Sequence, residues 1–179
     1  MIPTRDEAWA LLCAHTQSEA LRTHACMVEQ VMRAFAADAG EDVEYWGAVG
    51  LLHDLDYEEY PQEHCVRVVE MLKDANVDDA FIHAVVSHGW GSCTDVEPEK
   101  YMEKVLYAID ELTGLIHAAA LMRPSKSCDD MELKSLKKKY KSPAFAAGVD
   151  RGVIERGAQM LDMSLDVLLE RTLEAMKSK

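Results

Sequence analysis

Between residues 18 and 39, Leu21, His24, Val28, Val31, Met32 and Phe35 recur at three- and four-residue steps, and Gly40 follows as a stop. That period lines one side of an α-helix with apolar side chains, and so long a stripe has to be buried against something. No segment alternates at a period of two with β-branched residues between hairpin turns, so strands are not expected and the stripe must meet other helices. Several are legible. Thr4-x-x-Glu7 is a capping-box pattern that opens a helix over 4–14. Asp42 caps one over 43–53, Pro61 suits the first turn of one over 61–75, and Asp78 or Asp79 starts one reaching 88. GWGSCTDVEP has loop composition, a long helix follows over 99–121, and Pro124 marks its end. Segments 129–139, 149–161 and 164–176 are also expected to be helical, the last capped by Ser164. The expected fold is an all-α, single-domain helical bundle.

The 179 residues suffice for one core without disulfides. Composition agrees, with 49% hydrophobic and 28% charged residues, the balance of a globular chain. The start MIPTRDEAWALL carries acids where a signal peptide needs a basic start, and no apolar run is long enough to span a bilayer. Cys13, Cys26, Cys65, Cys93 and Cys128 form an odd, scattered set without a C-x-x-C pair, which suggests neither a disulfide framework nor a zinc knuckle. A cytoplasmic protein with no membrane attachment is expected. The net charge of -13 disfavours an extended nucleic-acid surface but not a small ligand held by local contacts.

Four polar residues interrupt the apolar pattern. His24 lies in the stripe of the second expected helix, His53 ends the third with Asp54 next to it, and Asp110 follows Val105, Leu106 and Ile109 in the sixth. A carboxylate on a face built for burial is costly unless it is paired or metal-bound. One H-D dipeptide is weak evidence. The order His24, His53-Asp54, Asp110 on three separate helices is a specific signal for a cation site.

This set resembles the H…HD…D metal ligands of the HD superfamily of metal-dependent phosphohydrolases. AVGLLHDLDYEEYPQEH is similar to the stretch around the HD pair in small bacterial and archaeal members, and YAIDELTGLI to the helix carrying their final Asp. The tail KSLKKKYKSPAFAAGVDRGVIERGA extends the likeness over most of the chain. The resemblance implies a helical bundle of the HD-domain type over 1–179, with a metal-site core at about 18–121 and C-terminal helices at 129–176. It implies His24, His53, Asp54 and Asp110 as ligands of a divalent ion. Imidazole and carboxylate donors suit Mn, Fe, Co, Ni, Zn or Mg. The activity implied is hydrolysis of a phosphate ester of a nucleotide or other small phosphorylated metabolite by a metal-activated water.

His64 and His88 fall between the HD pair and Asp110. In two-metal HD proteins such histidines bind a second ion, with the HD aspartate bridging; with one ion they contact phosphate or deliver a proton. Both arrangements, one ion or two per chain, stay open, and Asp54, His64 and His88 are the expected catalytic set. Asp56 is either a group that orients a ligand or a turn residue before Tyr57. Arg123 and Lys126, directly after the helix carrying Asp110, are the expected substrate phosphate contacts. Two rival functions are a di-iron oxygenase, as in some relatives, and a non-catalytic ligand-binding or regulatory module.

Overall fold

The structure, a computed structural model, describes residues 1–178. Among these the chain is all-helical, apart from an isolated bridge between Trp90 and Thr94. The helices are α1 (Arg5–His15), α2 (Glu19–Ala39), α3 (Val43–Leu52), α4 (Arg67–Asp74), α5 (Asp79–Val86), α6 (Tyr101–Leu121), α7 (Leu133–Tyr140), α8 (Arg151–Met160) and α9 (Leu165–Met176). A 3-10 turn, Ser87–Gly89, follows α5. No helix in the described residues is long and apolar enough to cross a membrane. The caps follow the sequence signals. Thr4 and Glu7 form a capping box, while Ser18, Asp42, Asp78 and Ser164 each accept a first-turn N–H.

The chain separates into two compact units, Met1–Tyr107 and Ala108 onward. In the first, α3 is the centre. It is apolar on all sides, every residue from Trp46 to Leu52 is buried, and α1, α2 and α5 pack around it. The α2 stripe Val28, Val31, Met32 and Phe35 is likewise buried. Gly50 permits the close approach of α2 and α3, since a Cβ there would come 2.9 Å from Met32 Cγ and 3.2 Å from Val28 O. Glu29 is buried off the His24 face, held by Arg5 at 3.2 Å and Arg33 at 2.9 Å.

The second unit buries Leu112, Leu115 and Ile116 of α6 with Leu136, Ile154, Leu168, Leu169 and Leu173 of the last three helices. Gly157 of α8 lies against Ala108, and an added Cβ would come 2.5 Å from both its Cα and its Cβ. Because backbone cannot swing aside, Gly157→Ala is expected to destabilise by about 1–3 kcal/mol despite its better helix propensity. A thermal melt checks this, and an unchanged or raised Tm would contradict it.

Three boundaries differ from expectation. The helix expected over 61–75 begins only at Arg67, and residues 53–66 form successive turns. Cys65 has φ 66°, a left-handed conformation that no α-helix continues through, so Pro61 is a turn residue. The helix expected to end at His88 stops at Val86, and His88 sits in the 3-10 turn. The helix expected from 129 starts at Leu133, because the Asp130 carboxylate is taken by Arg123 Nε and Ser125 Oγ, which close the preceding loop.

Candidate metal centre

At the end of a helix the last four carbonyls lack N–H partners, and two histidines of the first unit exploit this. His53 caps the C-terminus of α3, and its Nδ1–H donates to Gly50 O at 2.8 Å. His88, just past α5, does the same to Val85 O at 2.5 Å. His64 Nδ1–H donates at 2.7 Å to the buried Asp56 carboxylate, whose other oxygen accepts Val68 N–H at 2.9 Å and so caps α4. These acceptors assign the same tautomer to all three neutral rings, leaving Nε2 as the lone-pair nitrogen.

All three Nε2 atoms converge on Asp54. Oδ2 lies 3.3 Å from His53 Nε2 and 3.9 Å from His24 Nε2. Oδ1 lies 3.4 Å from His64 Nε2 and 3.5 Å from His88 Nε2. One carboxylate therefore stands between two pairs of imidazoles. The rings crowd together, with centroids 5.2 Å apart for His24 and His53 and 5.1 Å for His53 with His88 and for His64 with His88. His64 Nε2 and His88 Nε2 are 3.2 Å apart, and two lone pairs that close repel unless a proton or a metal cation sits between them. The donor chemistry thus fits a divalent ion. Metal-binding histidines characteristically donate their other N–H to a carboxylate or a backbone carbonyl.

The electrostatics agree. Burial pushes the Asp54 carboxyl upward, but His53 and His88 outweigh it and hold the group well below the usual carboxylate range. Burial pushes the His64 imidazole down, while the hydrogen bond to Asp56 and the charge of Asp54 overcome this and raise it. His53 is fully buried, and the Asp54 side chain keeps 19% of its exposure, so the centre opens to solvent at the carboxylate. Tyr57, 44% exposed, meets His64 edge-on at 5.2 Å and flanks that opening.

The expected residues His24, His53, Asp54, His64 and His88 are together in the first unit. His64, however, sits in the turns before α4 and not in a helix. Asp110 lies half-buried on α6, in the second unit. Arg123 is paired with Asp130 at 2.9 Å, and Lys126 Nζ donates to Leu121 O at 2.5 Å. Of the two readings of Asp56, the orienting one describes its contacts. Sequence reasoning missed that the scattered Cys65 and Cys93 meet, with sulfurs 3.0 Å apart. Nothing local signals it, since 28 residues separate them.

Comparison with curated proteins and with solved structures found no match. A family model described as HD domain matches residues 21–115, more than half of the chain. HD domains bind divalent metals and are often metal-dependent hydrolases, and the matched stretch contains His24, His53, Asp54, His64, His88 and Asp110. The helical fold, the converging imidazoles around Asp54 and this match lead to one assignment: the chain belongs to the HD-domain family.

Proposed function

We propose that this protein is a metal-dependent phosphohydrolase acting on the phosphate ester of a nucleotide or another small phosphorylated metabolite. The observation that carries the reading is Asp54, one oxygen facing His24 and His53 and the other facing His64 and His88. A divalent ion would be held by His24, His53 and Asp54, and a second, if bound, by His64, His88 and Asp54; Asp110 is a further proposed ligand. The nitrogen and oxygen donors suit Mn, Fe, Co, Ni, Zn or Mg. A bound divalent ion supplies a Lewis acid for the phosphoryl oxygen and an acidified water.

The chain's own residues do the rest. Gly50 O, Val85 O and Asp56 hold the ring protons on Nδ1, so His53, His88 and His64 meet a cation without reorganising. Arg123 and Lys126 are the proposed phosphate contacts, exchanging Asp130 and the Leu121 carbonyl for the anion. The cytoplasm is the proposed location.

Screening phosphorylated metabolites with Mn2+, Fe2+, Co2+, Ni2+, Zn2+ and Mg2+ tests the reading, with phosphate release as the readout. Release is expected to rise with pH through the raised His64 value and then level off, because a proton on His64 competes with the metal. Metal uptake without phosphate release from any ester, or oxygen consumption by a two-iron form, would overturn it.

A further inference from the structure

Two backbone features hold Cys65 and Cys93 face to face. Cys65 occupies the left-handed region at φ 66°, where a residue other than glycine is strained unless its surroundings fix it. Cys93 sits in a tight turn in which Ser92 N and Cys93 N both donate to Gly89 O at 3.0 Å, and Gly91, at φ 77°, donates to Thr94 O at 2.9 Å. Gly89 lies beneath both sulfurs, and a Cβ there would collide with each. Glycine at this position is what lets the thiols come within 3.0 Å of one another.

We propose that Cys65 and Cys93 are an oxidation site, a dithiol that closes to an intramolecular disulfide under hydrogen peroxide. A disulfide bond is about 2.05 Å long, so the sulfurs need approach by only roughly 1 Å. Cys93 is the partly exposed member and Cys65 the buried one. Cys93 sulfur therefore attacks the peroxide oxygen, the O–O bond breaks, water leaves, and a sulfenic acid remains. Cys65 sulfur then displaces hydroxide from that sulfenic sulfur, and the hydroxide takes up the Cys65 proton as a second water. Two thiols are oxidised, one peroxide is reduced to two waters, and an external thiol reverses the change.

The bond ties the turn beside His64 to the turn after His88. Its influence on metal binding rests on the function proposed above, whereas the disulfide itself does not. Cys13, Cys26 and Cys128 serve as internal controls.

The test is hydrogen peroxide treatment of the full chain, then denaturing alkylation and mass spectrometry. The protein is expected to lose about 2 Da, the mass of two hydrogens, on forming the bond. Of its five cysteines, only Cys13, Cys26 and Cys128 are then expected to be alkylated, and dithiothreitol restores all five. In Cys93→Ser, Cys65 stays alkylatable and no mass is lost; in Cys65→Ser, Cys93 stops at an oxygen adduct and the loss of two hydrogens is not seen. Oxygen added at Cys93 with Cys65 still alkylated would overturn the proposal. So would a disulfide between chains, or a bound ion that shields both thiols without mass loss until a chelator removes it.

Discussion

In Asp54→Ala, Mn2+ binding is expected to vanish in titration calorimetry, and phosphate release with it, while the helical circular dichroism stays that of the parent. The wild-type carboxylate is the meeting point of four imidazoles, and its charge is what makes their arrangement attractive to a cation. Without it, the rings present only neutral nitrogens. The loss should exceed the roughly 10–100-fold that removal of an outer hydrogen-bond partner costs a metal site. A second readout does not need the substrate. A ligand at 100 times its Kd stabilises the folded state by about 2.7 kcal/mol, so Mn2+ should raise the wild-type Tm and leave the variant's unmoved. A variant that keeps both its Mn2+ affinity and its thermal shift would remove Asp54 from the centre.

Asp56→Asn separates positioning from ligation. In the parent, one Asp56 oxygen accepts His64 Nδ1–H and the other accepts Val68 N–H. Asparagine keeps one acceptor, enough for Val68, but turns a donor toward His64. The ring must then carry its proton on Nε2, the nitrogen that faces Asp54 and His88. Metal affinity is expected to fall about 10–100-fold with little change in stability. Nitrogen NMR of the His64 imidazole should show the exchanged tautomer, a signature that a purely structural role would not produce. Asp56→Ala should add about 1–3 kcal/mol of destabilisation, because the buried Val68 N–H loses its partner. Parent-like affinity in Asp56→Asn would mean that the tautomer of His64 does not govern the site.

Much of this protein is written in short-range chemistry. The α2 stripe, the capping box at Thr4 and Glu7, and the caps at Ser18, Asp42 and Ser164 all act within a few residues, so they could be read from the chain alone. The same holds for His24 and the His53-Asp54 pair, polar residues standing out in an apolar pattern. Where this reading failed, a distant partner decided the outcome. Pro61 looked like a helix start, but Cys65 turns left-handed and Asp56 reaches twelve residues on to cap Val68, so His64 is carried on a turn.

The sequence by itself determined that the chain is helical and which histidines and acids are candidates for a cation site, because helix period and capping are local. Only the tertiary structure decided how those groups divide between the two oxygens of Asp54, which acceptors orient His53, His64 and His88, and that Cys65 meets Cys93. Those pairings join residues up to 30 positions apart, from His24 to Asp54, and no local periodicity encodes them. They follow from the close approach of α2 to α3 at Gly50 and from the turns that Cys65 and Gly89 permit.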